Sequence, residues 1–444
     1  MKTYRSMFDK ILPPDTVAKC ALDAAEGKLK RPEVLRAFAY FDETYDGVAE
    51  CAKDPDYRPC EDNTHEIIDG ANGKKRAIEK PRFNPEQILH HMLMEPFKEV
   101  LLNGLYEQVY GCIPKLVTVD RNGKKHVRKF GPHAAIRQLV KWIQTGRKTY
   151  VAEMDVKSAY GSVHIPTLAR LLCECIKDRE WALLMFRFLH YTPKAPECET
   201  MRGLILGHFP SPWLFNFYLK KFDHFAATLP GVKYLRYADN LFLVGKSKRK
   251  VHRAVAAIKE YLRERLKLEL NGSTQVYRFE YGTGETDRKG REKARGRAVN
   301  ALGAIIHYNR VTLRKSILMR MRRKALRIGR KKNVTWHDGA SMLSRLSWVR
   351  HTDTFGYYER NIKTKISIRK LKCKVRLHSR AIMPIVEERR RIVNDGLEKS
   401  TRLAAGKAEG VGHDNKRDRR ISAKEHRAQD GQGHERTDRR VLGV

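Results

Sequence analysis

Val251, Ala254, Val255, Ile258, Leu262 and Leu266 recur at helical spacing, which predicts an amphipathic helix over 249–267. Leu268-Glu269-Leu270 then runs into Asn271-Gly272, a turn dipeptide. Upstream, the apolar runs 234–237 and 241–244 flank Ala238-Asp239-Asn240, so a β-hairpin is predicted with an acid at its tip. Ser211-Pro212 supplies a helix N-cap followed by a proline at the first helical position, and Leu229-Pro230-Gly231 stops the same helix. Residues 149–154 read as a strand that ends on Asp155. A further helix over roughly 315–329 carries Arg320, Arg322, Arg323, Lys324 and Arg327. Helical and strand signals alternate without a fixed repeat period.

The chain has 444 residues, of which 41% are apolar and 9% aromatic, enough for a packed core and for two or three structural units. Charge changes the picture more. Ninety Lys and Arg face 51 Asp and Glu, a formal charge of +39, so a polyanion is the leading partner class, ahead of a membrane surface. Residues 401–444 hold 11 of the basic and 7 of the acidic residues, with six glycines and few large apolar side chains. That segment is predicted to be a disordered tail. The excess of positive charge therefore belongs mainly to the region before it.

No stretch of 18 apolar residues occurs, and the opening Met1-Lys2-Thr3-Tyr4-Arg5 leads into no apolar signal region. The eight cysteines include no C-x-x-C pair, which argues against a zinc ribbon and for reduced thiols. A cytoplasmic protein without membrane association is expected.

Asp155 at a strand end and Asp239 at a hairpin tip are each unremarkable alone, since an isolated acid there is more often a loop cap. If their strands lie side by side, the two carboxylates meet and repel. A divalent cation compensates for that, and a pair of Mg²⁺ ions about 4 Å apart activates an attacking hydroxyl and steadies a leaving phosphate oxygen.

The pieces occur together and in one order, and from roughly residue 18 to 362 the chain resembles the reverse transcriptases. Asp155-Val156-Lys157-Ser158-Ala159-Tyr160-Gly161-Ser162-Val163 resembles their motif A. Gly203-Leu204-Ile205-Leu206-Gly207-His208-Phe209-Pro210-Ser211-Pro212 with Asn216 resembles motif B, and Tyr237-Ala238-Asp239-Asn240 resembles motif C. Lys75-Arg76-Ala77-Ile78-Glu79-Lys80-Pro81 is similar to the fingers strand that grips a triphosphate, for which a guanidinium fork is suited. Gly131-Pro132-His133-Ala134-Ala135 is similar to the segment before motif A in bacterial members. Residues 297–303 with Leu313-Arg314-Lys315 resemble the primer grip and the start of the thumb. Within the family, Glu26-Gly27-Lys28-Leu29-Lys30-Arg31-Pro32, the Gly-His pair of motif B and 344–351 resemble the bacterial branch of diversity-generating retroelement and defence-associated (unknown group) enzymes.

The resemblance implies an α+β right-hand polymerase: fingers over 1–147 with N-terminal helices and an insertion at 114–130, an RRM-like antiparallel-sheet palm over 148–312, a helical thumb over 313–375, and a basic extension over 376–444. It implies catalytic Asp155 and Asp239, two Mg²⁺ ions (or Mn²⁺) held by Asp155, Val156, Asp239 and Asn240, and a nucleotide pocket of Lys75, Arg76, Tyr160, Leu206, Gly207 and Asn216. Tyr160 would be the steric gate favouring deoxynucleotides. Arg320, Arg322, Arg323, Lys324 and Arg327 would follow the backbone of the template-primer duplex. The partners implied are dNTPs, a DNA product and a template, a small non-coding RNA in antiphage defence or retroelement mutagenesis, with partner proteins or self-association left open.

Two positions depart from the pattern. Asn240 stands where motif C usually has a second aspartate, and Leu206 where many members carry Gln. Two alternatives therefore stay open: template-independent synthesis of simple-sequence DNA, with Glu26 as a base-selecting residue, and an RNA-binding scaffold whose polymerase site has decayed.

Overall fold

The computed structural model describes residues 2–398, apart from 60–63, 69–74, 115–116, 120–124, 128–129, 146–147, 194, 289, 291 and scattered positions beyond 381. The tail after 400 lies outside the described residues. So do the tip of the 114–130 insertion, with Lys124, Arg128 and Lys129, and the side chain of Arg76.

In chain order, helices α1 (Pro14–Ala25), α2 (Pro32–Ala39) and α3 (Phe41–Lys53) precede a hairpin of β1 (Thr64–Ile68) and β2 (Lys75–Glu79). Helix α4 (Ile88–Leu102) leads to a small antiparallel pair, β3 (Val117–Val119) with β4 (Lys125–Val127), inside the 114–130 insertion. Then come α5 (Pro132–Ile143), β5 (Tyr150–Asp155), α6 (Ile165–Cys175), α7 (Arg179–Phe188), α8 (Ser211–Tyr218), α9 (Lys220–Thr228), β6 (Val232–Tyr237), β7 (Asn240–Gly245), α10 (Lys248–Leu266) and β8 (Gln275–Arg278). Short strands β9 (Tyr281–Thr286), β10 (Glu292–Arg295), β11 (Val299–Ala301), β12 (Ala304–Ile306) and β13 (Val311–Leu313) follow, and helices α11 (Lys315–Gly329), α12 (Trp336–Leu346) and α13 (Phe355–Asn361) come after them.

The central sheet has four strands in the order β6-β7-β5-β8, every neighbour antiparallel. Its first strand, β5, lies between the third and the fourth, with helices covering the connections on either side. Both faces are buried, which explains why 241–244 is a continuous apolar run instead of an alternating one. Ala152, Met154, Leu241 and Leu243 join a core built with α1, α4 and α6–α10. Val151, Leu235, Phe242 and Val244 face a second core closed by α5, Phe279 and β11–β12. Helix α10 buries the six apolar residues that the spacing singled out, each such Leu or Ile contributing about 1.5–3 kcal/mol.

Three local expectations need correction. The helix after motif B is not continuous: at Leu219 the backbone turns (ψ −2°), so α8 ends at Tyr218 and α9 restarts at Lys220. Ser211 is inside α8 and not its cap; Pro210 precedes the helix, and the Ser211 hydroxyl donates 2.6 Å to the Ile205 carbonyl of the preceding loop. The hairpin turn has two residues, Ala238 and Asp239, because Asn240 already pairs as β7. Helices α11–α13 enclose a separate small core of Leu313, Met321, Ala325, Ile328, Met342, Ile362 and Leu371. Among the described residues, no helix is long and apolar enough to cross a membrane, and no disulfide forms.

Candidate active site

The site is assembled by strand register. Asp155 is the last residue of β5 and stands opposite Asn240, the first of β7. One step further, the Val156 amide donates 3.2 Å to the Asp239 carbonyl, so the two strand ends remain joined past the last regular pair. Two acids 84 positions apart in sequence thus sit at the same end of the same sheet. By the period-two alternation, Asp155 and Asn240 lie on the face that carries Val151 and Phe242. Asp155, Asp239 and Asn240 are all half-buried.

The Asn240 amide donates 2.9 Å to an Asp239 carboxylate oxygen and orients it. Among the described residues no group of three or more His, Cys, Asp or Glu side chains is arranged to hold a metal ion, so a metal here would rest on two carboxylates. Hard oxygen donors at an open strand end fit Mg²⁺ or Mn²⁺, which keep water and substrate phosphate oxygens in their remaining positions. They do not fit a closed zinc site.

The other motifs are tied to this end by backbone bonds. Residues 157–163 form a tight loop with Ser158 at φ +46° and a Ser162 N–H to Ser158 carbonyl bond of 2.9 Å. The Leu204 N–H donates 2.8 Å to the Tyr160 carbonyl and the Gly203 N–H 2.9 Å to that of Val163, which locks motif B onto motif A. Further along, the Glu79 N–H of β2 donates 2.8 Å to the Leu206 carbonyl. Gly207, at φ +105°, is required there: a Cβ would stand 1.9 Å from the Glu79 carbonyl oxygen. The strand holding Lys75 and Arg76 is therefore fastened to the loop holding Leu206 and Gly207. The Lys75 ammonium pairs across the hairpin with Glu66 at 3.3 Å.

The Tyr160 ring packs 5.1 Å from Phe215 of α8, beside Cys112, and burial holds its phenol well above the usual range. Neighbouring His208 bonds Glu79 at 3.0 Å through Nε2, and burial brings its imidazole down to about 4. It is neutral at pH 7.

Asn216 has a different place from the pocket position expected. It is 1% exposed, its amide donates to the carbonyls of Gly111 (3.0 Å) and Cys112 (2.7 Å), and its oxygen accepts from Arg236 (2.8 Å). Arg236 and its partner Asp223 were not singled out by sequence reasoning. The available signal was a charged residue inside the apolar run 234–237, since a buried guanidinium demands a partner. Glu26 is exposed at the C-terminal end of α1, before a left-handed Gly27.

On α11, Arg322, Arg323 and Arg327 are exposed and Arg320 is half-buried. Lys324 is instead engaged with Ser341 of α12 at 2.6 Å, and burial lowers its ammonium.

Residues 100–281 match the family described as reverse transcriptase (RNA-dependent DNA polymerase). That span contains Asp155, Tyr160, the motif B loop and Asp239, so residues 100–281 match a reverse transcriptase domain. No curated protein matches the chain in sequence. Among solved structures, apo telomerase from Candida tropicalis, truncated from its C-terminal domain, is 11% identical at a TM-score of 0.36 and covers 57% of this chain and 54% of its own. Telomerase from Candida albicans, in complex with the TWJ fragment of telomeric RNA, is 11% identical at 0.38 and covers 81% of this chain and 65% of its own. The chain thus spans less than two thirds of either telomerase.

Proposed function

We propose that this chain is an RNA-directed DNA polymerase that joins dNTPs by two-metal nucleotidyl transfer on a small non-coding RNA. The observation that carries this reading is the register of β5 on β7, which brings Asp155 and Asp239 to one sheet end while backbone bonds fasten motifs A and B and the β2 strand around it. Asp155 and Asp239 would hold the ions, with the Val156 carbonyl and the Asn240 amide oxygen as neutral additions. Bound divalent ions supply an activated primer hydroxyl and charge neutralisation at the leaving phosphate. The chain itself places and orients: Lys75 and Arg76 meet the triphosphate, Leu206 and Gly207 line the pocket floor, and Tyr160 closes against a 2′-hydroxyl. Asn216 acts from beneath, through the groups it holds.

In this reading residues 1–147 are the fingers, 148–312 the palm, 313–375 the thumb and 376–444 a basic extension. The strand order β6-β7-β5-β8, with helices on the crossovers, supports an RRM-like palm. The exposed arginines of α11 suit duplex phosphates. The likeness of 26–32 and 344–351 to bacterial defence and retroelement enzymes supports a cytoplasmic antiphage setting.

Purified full-length protein, with its bound nucleic acid retained, is incubated with labelled dNTPs and Mg²⁺ or Mn²⁺. Labelled DNA that disappears after RNase pretreatment and in Asp155→Ala is the expected result. Product indifferent to RNase would replace this reading with template-independent synthesis, and no product at all with a decayed RNA-binding scaffold.

A further inference from the structure

Beneath the 238–239 turn lies a polar cluster closed to solvent. Arg236 and Asp223 are 0% exposed, Tyr234 and Asn216 1%. The guanidinium grips Asp223 side-on, Nε to Oδ1 at 2.8 Å and Nη2 to Oδ2 at 2.7 Å, and the Tyr234 hydroxyl adds a third bond to Oδ1 at 2.8 Å. Packing alone does not account for this pair, because apolar residues of similar volume serve stability as well as a buried ion pair does or better. The informative donor is the remaining nitrogen. Arg236 Nη1 donates to the Ala238 carbonyl at 3.0 Å and to the Asn216 oxygen at 2.8 Å.

Both recipients bear on Asp239. Ala238 is its immediate neighbour and holds φ +52°, a left-handed conformation that an alanine keeps only where its surroundings over-determine it. Arg236 pins its carbonyl. On its other side, Gly111 comes so close that a Cβ would stand 2.5 Å from the Ala238 nitrogen. Asn216 in turn fixes Gly111 and Cys112 by their carbonyls, while backbone bonds from Arg236 N–H to Gln108 and from Tyr110 N–H to Arg236, both 3.0 Å, hold the same segment on the edge of β6. One guanidinium therefore clamps the turn from below and, through Asn216, from the side.

We propose that Arg236 is a positioning residue that sets the direction of the Asp239 carboxylate, with Asp223 neutralising it and Asn216 relaying it to the 111–112 segment. This rests on the reading of Asp239 as a metal ligand. Asp223 has a second part to play: it keeps the buried cation from opposing divalent ions bound a few residues away.

The test measures Mn²⁺ affinity by electron paramagnetic resonance in the full chain, beside kcat and dNTP KM. Mn²⁺ binding by the parent that is lost in Asp239→Ala establishes the ligand, and its absence overturns both the ligand and the positioning role. Arg236→Lys keeps the charge but loses the fork. The expected result is Mn²⁺ affinity and kcat each lowered about tenfold or more, with dNTP KM unchanged. A folded Arg236→Lys with both values like the parent overturns the positioning role and leaves the ligand standing. Should that variant fail to fold, Asn216→Ser decides, since it spares the ion pair. Lower kcat and weaker Mn²⁺ binding at constant dNTP KM support the relay; a raised dNTP KM alone, as direct nucleotide contact would give, contradicts it.

Discussion

At the scale of residues, Asp155, Tyr160 and Asp239 were readable as candidates only as a set: each is commonplace alone, and their order among the other family motifs singled them out. Their supports were not. Arg236 reaches Asp223 and Asn216, 13 and 20 positions away, and Asn216 reaches Gly111 and Cys112 more than a hundred away, contacts that exist only once the sheet forms. His90 is another such residue. It is fully buried on α4, 4.6 Å by ring centroids from both His208 and Phe188, and neither ring nitrogen has a hydrogen-bond partner among the described residues. Burial lowers it well below the ordinary value, and lowers His208 to about 4.

An unfolded histidine titrates near 6.5, so between about 4 and 6.5 the unfolded chain binds protons that the folded one refuses. Stability from these residues is full above that window and is lost as the pH falls through it. Leucine at position 90 removes both a titrating group and two unpartnered nitrogens, whose burial costs about 1–3 kcal/mol. His90→Leu is therefore expected to melt at a higher temperature than the parent at pH 5.5, with a shallower fall in melting temperature between pH 7 and 5. Equal slopes in thermal scans would contradict this.

At the scale of elements, helical spacing located α10 to within a residue, because that helix buries a single apolar stripe against the central sheet and α9, and the expected ends of α11 match those observed. It failed at Leu219, where α8 is apolar nearly all round and offers no phase change to mark the break. The joint between the β1–β2 hairpin and the motif B loop was likewise invisible, although Gly207 hinted at it. Since an added Cβ there meets a carbonyl at 1.9 Å and the backbone is left-handed, Gly207→Ala must break the Glu79–Leu206 bond or distort the loop, a cost of about 1–3 kcal/mol. The consequence falls on the strand that carries Lys75 and Arg76. Steady-state kinetics are expected to give a dNTP KM raised about tenfold, with Mn²⁺ affinity little changed because the β5–β7 register is untouched. An unchanged KM would separate the hairpin from nucleotide binding.

At the scale of the whole molecule, sequence composition anticipated a basic body, and the order of motifs anticipated a mixed helix-and-sheet architecture. The topology that gives them meaning, β5 inserted between β7 and β8, emerges from both faces of the sheet being covered at once. It lets two distant carboxylates share an end while the helices around it carry charge outward. That shared end is the feature on which nucleotidyl transfer would depend. Anomalous diffraction from crystals of the full chain with Mn²⁺, a dNTP and a terminated primer-template measures it directly. Manganese is expected within about 2.2 Å of carboxylate oxygens of both Asp155 and Asp239, as shared ligation requires. Manganese bound to only one of them, or elsewhere in a complex with nucleotide in place, would contradict it.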